Sequence, residues 1–321
     1  MAGVTWLQPG EGREFPLRWQ TRLRAWWEGY DLTALRLLID ASPASPEVSA
    51  APAPAGTLAE PEPESRFGKP LWTAARLGVA EAIWGEGFTS PGGLEHAFYL
   101  VKPFGITSSM SVLDLSAGLG GIARAVAKEY KAWVTGHESS PLLAGIGRER
   151  SEKLGMAKNA PISAVNLENF KLDRRYDCIF AKEAFFTVAN KDVLFDRINE
   201  GLKAGGQLCF TDYCLETADL TDPTLVGWLS SEPVEPHLWT MQRITDALKA
   251  RKIFVRTNED ITHLQKSLIL SALGAFLAHL EAHRMDRETK LAVLEEVELW
   301  ARRVQAFDAG LRVYRFYCMK S

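Results

Sequence analysis

The chain has little cysteine, and no arrangement of cysteines that is typical of a metal site or of a disulfide framework. Four cysteines are spread over 321 residues, and no two of them form a C-x-x-C pair. They lie in apolar, strand-like runs as Cys178, Cys209, Cys214 and Cys318. Thiols in such runs behave as small apolar core residues. The sequence therefore predicts reduced core cysteines and no metal site.

An excess of charge of one sign and a long apolar run are also missing. The 37 lysines and arginines nearly balance 40 aspartates and glutamates, which leaves a formal net charge of −3. This balance argues against nucleic acid as the main partner, because neutralising phosphates needs a basic surface. No apolar run reaches membrane-spanning length, and the N-terminus has no signal-peptide core. We therefore expect a cytoplasmic protein.

Large apolar side chains are nearly absent from residues 41–65, which are rich in proline, alanine and serine. Such a segment cannot bury enough surface to offset its ordering entropy, so it is predicted to be a linker. Residues 1–40 before it are predicted to form a helical extension that combines arginines with tryptophans. This extension could lie on an anionic membrane as a peripheral anchor, or pack on its own domain or on a second copy of the chain.

The chain does contain a strand that ends in an acid and a turn of small residues. Residues 112–121 read V-L-D-L-S-A-G-L-G-G and lead into a helical pattern. A second apolar strand ends at Glu138, 20 residues after Gly118. In nucleotide-binding α/β folds an acid at this spacing meets the ribose hydroxyls.

Two cofactor classes compete for this turn. A dinucleotide site needs G-x-G-x-x-G, whereas the string from Ser116 reads S-A-G-L-G-G. Asp114 instead fills the acidic position of the S-adenosylmethionine pattern, in which Ser116 replaces the first glycine. A carboxylate there attracts the cationic methionine end and would repel a pyrophosphate. We predict S-adenosylmethionine as the cofactor and S-adenosylhomocysteine as its product. A glycine-rich turn without a ligand is the alternative.

Strand-like and helix-like segments alternate from residue 111 to about residue 256, which predicts a parallel sheet with right-handed crossovers. Strands are expected near 111–115, 132–136, 161–165, 176–181, 206–213 and 252–256. With a closing strand in 311–321, the predicted fold is a doubly wound, seven-stranded, mostly parallel α/β sheet over 66–321. Lid helices are expected in 66–110, the core sheet in 111–256 and a helical insertion in 257–310.

Over residues 67–321 the chain resembles class I S-adenosylmethionine-dependent methyltransferases, and among them it is most similar to the phosphoethanolamine N-methyltransferases. Three stretches carry the resemblance: a glycine-rich lid turn (84–93), the cofactor turn (116–121) and a strand that ends in Asp-Tyr-Cys (202–214). The resemblance implies a Rossmann-like fold and a set of cofactor-binding residues. These are Thr89, Ser90, Asp114, Ser116, Ala117, Gly118, Gly120, Glu138, Ser139, Asn166, Leu167, Ala181 and Lys182.

The acceptor site implied by the resemblance departs from the family pattern. A tyrosine–histidine pair of the family aligns with Trp72 and Thr187, and neither residue is a base near neutral pH. Glu183 stands where relatives have an aspartate, and Tyr213 is retained. These four residues are the predicted catalytic set. The predicted substrate-binding residues are His237, Trp239 and Arg303, where relatives hold a phosphate group.

These residues lead to the hypothesis of a methyltransferase that acts on the nitrogen of a small, phosphoethanolamine-like amine. Methyl transfer needs alignment and exclusion of water more than acid–base groups, so loss of the tyrosine–histidine pair need not abolish it. Three alternatives stay open: a phospholipid head group, another larger or aromatic acceptor, and a non-catalytic S-adenosylmethionine-binding regulatory subunit.

Overall fold

The computed structural model of the chain describes residues 61–217, 220–280 and 285–321. The predicted extension over 1–40 and most of the predicted linker lie outside these ranges. Among the described helices, none combines the length and the apolar character needed to cross a bilayer. All four cysteines are buried and free, as the sequence predicts.

Helices and strands alternate along the described chain. The helices are α1 (Ala74–Trp84), α2 (Gly93–Val101), α3 (Gly121–Tyr130), α4 (Pro141–Lys153), α5 (Lys191–Gly201), α6 (Pro223–Ser231), α7 (Met241–Ala250), α8 (Thr262–Leu280) and α9 (Arg287–Asp308). The strands are β1 (Ser111–Asp114), β2 (Trp133–Glu138), β3 (Ile162–Ala164), β4 (Tyr176–Lys182), β5 (Leu202–Leu215), β6 (Trp239–Thr240), β7 (Ile253–Asp260) and β8 (Leu311–Lys320). Short 3₁₀ helices occupy Lys102–Phe104 and Phe185–Thr187.

One sheet runs through the molecule in the order β3-β2-β1-β4-β5-β8-β7, and β6 pairs with the end of β5. Strands β1 to β5 pair in parallel, and β8 is antiparallel to both β5 and β7. The predicted doubly wound α/β fold is confirmed. The sheet has eight strands and not seven, because the two residues of β6 are too few to form a readable pattern.

Local sequence signals fix where the helices near the sheet edge begin. Ser140 precedes α4, and its hydroxyl accepts a hydrogen bond from the Leu143 N–H at 3.1 Å. Asp222 caps α6 in the same way, and both helices have proline as their first residue. A side-chain oxygen at this position satisfies N–H groups that have no partner within the helix.

Apolar side chains cover both faces of the sheet, and a further cluster forms a roof over one end of it. The roof consists of α1, α6, α8 and α9, which pack on one another. Trp84, Trp228 and Trp300 lie in this cluster together with Tyr213 from the end of β5. The parallel strands end below these helices, at the edge where open α/β sheets bind ligands.

The lid turn after α1 lies directly against the first turn of α3. A methyl group added at Gly121 would overlap the backbone carbonyl of Gly87, and backbone cannot move aside as a flexible side chain can. We expect Gly121→Ala to lower the free energy of unfolding by about 1–3 kcal/mol in urea denaturation. Gly78→Ala, at an open position within α1, is the control and should stabilise by about 0.5–1 kcal/mol. Equal effects of the two substitutions would contradict this close packing.

Candidate active site

Asp114 is the last residue of β1, and only one oxygen of its buried carboxyl group accepts hydrogen bonds in the described structure. Its Oδ1 accepts hydrogen bonds from the Ser116 N–H at 2.9 Å and the Ser116 hydroxyl at 3.1 Å. Its Oδ2 is buried and has no partner within the described residues. Burial raises the pKa of Asp114 to about 7, and the bonds from Ser116 oppose that rise. An open acceptor atom in such a place is suited to a cation or a hydrogen-bond donor.

Glu138 joins the turns that follow β1 and β2. Its Oε2 accepts from the Gly118 N–H at 2.7 Å, and its Oε1 accepts from the Ser140 N–H at 2.9 Å and the Ser139 hydroxyl at 3.3 Å. Gly118 has a φ of +53°, the left-handed conformation that favours glycine. Burial raises the pKa of Glu138, and the hydrogen bonds from Ser140 and Gly118 oppose that rise.

Lys182 connects the lid to the end of β4. Its Nζ donates to the Ser90 hydroxyl at 2.7 Å and lies 3.3 Å from the carboxylate of Glu183. The Lys182 N–H donates to the Ser116 hydroxyl at 2.8 Å, so the cofactor turn is held as well. Burial lowers the pKa of Lys182, and the charge of Glu183 acts against this. Thr89 of the lid lies next to Gly118: its hydroxyl oxygen is 3.4 Å from the position that a Cβ atom on Gly118 would take.

The remaining predicted cofactor residues lie at the same edge of the sheet. Ala117 accepts from the Gly120 N–H at 2.7 Å and closes the turn. The Asn166 side chain accepts from the Glu168 N–H at 2.9 Å, in the loop after β3. Leu167 and Ala181 are buried. The structure thus brings the predicted set together around the ends of β1 to β4, and its role in binding a cofactor stays a prediction.

Sequence reasoning missed Glu62, which lies beside the predicted ribose acid. Its Oε2 accepts from the Ser140 hydroxyl at 2.7 Å and the Leu142 N–H at 3.2 Å, and its charge adds to the rise in the pKa of Glu138. Four residues on, the Arg66 N–H donates to the Pro233 carbonyl at 2.9 Å. This segment therefore runs from the cofactor side to the roof. A lone glutamate in a proline-rich stretch carries no signal of such a contact.

The predicted acceptor residues Glu183 and Tyr213 lie under the roof. Glu183 has a φ of +46°, a strained conformation for a residue with a side chain. Its Oε1 accepts from the Thr211 hydroxyl at 3.2 Å, so the carboxylate is held towards the end of β5. The Tyr213 hydroxyl is buried without a hydrogen-bond partner in the described structure, and burial raises the pKa of Tyr213.

Arg303 of α9 lies close to these residues. Its guanidinium carbon is 5.6 Å from the centre of the Tyr213 ring and 4.5 Å from that of Trp300. Trp72 is half-buried and packs on both the roof cluster and the cluster that contains Leu119 of the cofactor turn. These positions place Trp72 and Arg303 at the predicted acceptor side.

Three other predicted residues make contacts that do not involve Tyr213. The Thr187 hydroxyl donates to the Ala184 carbonyl at 3.1 Å. The backbone of His237 donates to the Phe186 carbonyl at 2.6 Å and accepts from the Lys191 ammonium at 2.6 Å. Trp239 is buried in the cluster below α5 and α7. It pairs with Cys214, whose side chain points to the face of the sheet opposite to that of Tyr213.

A family model described as a methyltransferase domain matches residues 106–269, about half of the chain. The chain belongs to this methyltransferase domain family, and the family predicted from the turn and its surroundings is confirmed.

Curated relatives of this chain include phosphoethanolamine N-methyltransferases. Phosphoethanolamine N-methyltransferase 2 of Caenorhabditis elegans is 31% identical over 237 residues, which is 72% of this chain and 52% of the relative. Phosphoethanolamine N-methyltransferase of Plasmodium falciparum is 25% identical over 203 residues, which is 62% of this chain and 74% of the relative. The chain spans about half the length of the first of these relatives.

Solved structures share the fold at low sequence identity. Phosphoethanolamine N-methyltransferase 2 of Haemonchus contortus, solved with phosphomonomethylethanolamine and S-adenosylhomocysteine, has a TM-score of 0.67 and 23% identity, covering 76% of this chain and 56% of that one. The cyclopropane synthase MmaA2 of Mycobacterium tuberculosis has a TM-score of 0.62 and 13% identity, covering 77% of this chain and 94% of that one.

The buried carboxyl of Asp114 predicts a pH-dependent stability. Its folded pKa of about 7 lies above the usual value for aspartate, so the folded state keeps a proton that the unfolded chain releases. The stabilisation is therefore complete at low pH and is lost as the pH rises through about 7, at a slope of up to about 1.4 kcal/mol per unit.

We expect Asp114→Asn to flatten the fall in unfolding free energy between pH 5 and pH 7 by about 2 kcal/mol. Urea denaturation across this range measures it, with Asp246→Asn at an exposed position of α7 as the control. An unchanged profile would be inconsistent with the raised pKa.

Proposed function

We propose that the chain transfers the methyl group of S-adenosylmethionine to the nitrogen of a small amine of the phosphoethanolamine type. One observation carries this proposal. Asp114, Glu138 and the pair of Ser90 and Lys182 meet at the ends of the parallel strands, in a chain of the methyltransferase family. The names of the curated relatives support an amine as the acceptor.

The residues present fit the cofactor. The open Oδ2 of Asp114 is a buried acceptor whose charge would be stabilised by a cation, which matches the methionine end. The Oε2 of Glu138 accepts one hydrogen bond and can accept a further one, which suits a ribose hydroxyl. Asn166 and Leu167 would contact the adenine, with Thr89 and Ser90 covering the site from the lid.

When bound, the cofactor supplies a methyl group already activated on a sulfonium sulfur. The protein then has to bring an unprotonated amine into line with that methyl group and keep water out. A bound cofactor would supply this methyl group to the nitrogen lone pair, with an N–C bond formed as the C–S bond breaks and the electron pair of that bond left on sulfur. Glu183 and Tyr213 are the groups that we propose to orient the amine, and the roof helices exclude water.

The role of residues 1–40 in membrane attachment or self-association, and the cytoplasmic location, remain proposals from sequence. These residues lie outside the described part of the chain. The acceptor that we propose as the small-molecule partner does not depend on them.

Binding of S-adenosylhomocysteine tests the cofactor site directly. We expect calorimetry to detect binding to the wild-type chain and at least about a 10- to 100-fold loss for Glu138→Ala, since hydrogen bonds to a carboxylate contribute about 1.5–3 kcal/mol each. Glu149→Ala removes an exposed carboxylate of α4 and is the matched control. Urea denaturation of the variants shows whether the fold survives. A folded wild-type chain that gives no heat at high ligand concentration would falsify the proposal.

A methyl-transfer assay with a panel of acceptors then tests the chemistry. Transfer to amines supports the proposal, whereas transfer to carboxylates or thiols alone would assign a different acceptor atom. Binding of S-adenosylhomocysteine without transfer to any acceptor would instead identify a non-catalytic subunit.

A further inference from the structure

The guanidinium of Arg303 is already paired with a carboxylate of this chain. Its Nε and Nη2 donate to the two oxygens of Glu232, each at 2.8 Å, which is the bidentate arrangement that a phosphate would otherwise use. The Trp228 indole N–H also donates to Glu232, at 2.6 Å. Glu232 is buried at the end of α6, so this carboxylate is held from both sides.

This pair lies at the predicted acceptor site. Besides the Tyr213 and Trp300 rings, the Phe186 ring centre is 5.8 Å from the guanidinium carbon. Burial alone would lower the pKa of Arg303, but Glu232, with Tyr213 and Glu183, raises it. Arg303 is therefore a permanent cation in an aromatic enclosure, and Glu232 supplies its counter-charge.

The other cations of this region are also compensated within the described chain. Lys182 lies 3.3 Å from the carboxylate of Glu183, and Arg76 is paired with the buried Glu296. A phosphate monoester carries close to two negative charges at neutral pH and would need cations without a partner. At Arg303 it would meet a guanidinium whose charge Glu232 already balances, so binding would place a dianion next to a buried carboxylate.

Neutral polar groups, in contrast, are left without partners in the roof around Tyr213. The Tyr213 hydroxyl, the Trp84 indole N–H and both amide atoms of Gln265 are buried and make no hydrogen bond in the described structure. The Gln265 amide lies close to the Tyr213 hydroxyl, although the two groups do not form a well-directed hydrogen bond. It acts to lower the pKa of Tyr213, against the larger effect of burial. Such groups can donate to and accept from an uncharged hydroxyl.

Building on the proposed methyl transfer, and narrowing its acceptor from phosphoethanolamine to the amino alcohol without the phosphate, we infer that Glu232 excludes phosphorylated acceptors by balancing the charge of Arg303. Tyr213, Gln265 and Trp84 bind the hydroxyl end, and the amine points to Glu183 and the transferable methyl group. Glu232 is thereby a specificity-determining residue. The bonds that form and break in the transfer are those already described.

Steady-state kinetics with the full chain test this inference. Ethanolamine and phosphoethanolamine are compared as acceptors at saturating S-adenosylmethionine. For the wild type we expect kcat/KM to be at least about 10-fold higher for ethanolamine. Glu232→Gln keeps the shape of the side chain but removes its charge, so we expect the ratio to move towards phosphoethanolamine by at least about 10-fold.

The chain offers a closely matched control for this variant. Glu296 is also buried, pairs with an arginine and accepts from a tryptophan indole, that of Trp300 at 3.1 Å. Glu296→Gln therefore leaves Arg303 paired and frees only Arg76, so it should move the acceptor ratio clearly less than Glu232→Gln does. Calorimetry with S-adenosylhomocysteine verifies that both variants retain the cofactor site.

A wild-type chain that prefers phosphoethanolamine would overturn the inference and leave the proposed methyl transfer intact. An acceptor ratio that Glu232→Gln does not move, in a variant that still binds S-adenosylhomocysteine, would also overturn it. If Glu232→Gln fails to fold, the preference of the wild-type chain between ethanolamine and phosphoethanolamine tests the inference by itself. Absence of transfer to every amine would remove the proposed function, and this inference with it.

Discussion

Glu138 connects three loops, two through its carboxylate and one through its backbone carbonyl. It accepts from Gly118 after β1 and from Ser140 after β2, and Ser140 is also the residue that starts α4. The carbonyl of Glu138 accepts from the Val165 N–H at 2.8 Å, which holds the loop after β3. A shift of this side chain would therefore disturb the loops after β1 and β2, so its position fixes local geometry besides its proposed part in ligand binding.

The fold and the grouping of the predicted cofactor residues were readable from the sequence because their signals are local. Alternating apolar strands and helices predict a parallel sheet, and the acid-to-glycine turn after β1 predicts the position of the ligand. From Asp114 to Leu167 the relevant residues follow one another along three consecutive strands. Their proximity is a consequence of parallel topology, in which strand ends meet at one edge.

The acceptor side could not be read in this way, because its contacts join distant segments. Arg303 and Glu232 are 71 residues apart, and their pair has no sequence pattern because it depends on how helices cross above the sheet. The same limit applied once on the cofactor side, where Glu62 reaches Ser140 across 78 residues. Trp239 shows the same limit: alignment placed it at a phosphate site, whereas its position beside Cys214 places it in the core below α5 and α7.

The two sides of the site are formed by different elements of the fold. The cofactor loops belong to the sheet, whereas Trp84, Gln265 and Arg303 belong to helices of the roof, which pack on one another and on the end of β5. A substitution in the roof can change charge and shape around the acceptor without moving Asp114 or Glu138. In the specificity that we propose, the pairing of Arg303 with Glu232 decides which acceptor is stabilised and leaves the alignment of the methyl group to the sheet. Because a buried pair contributes little net stability once desolvation is counted, selectivity is the role that we propose for it.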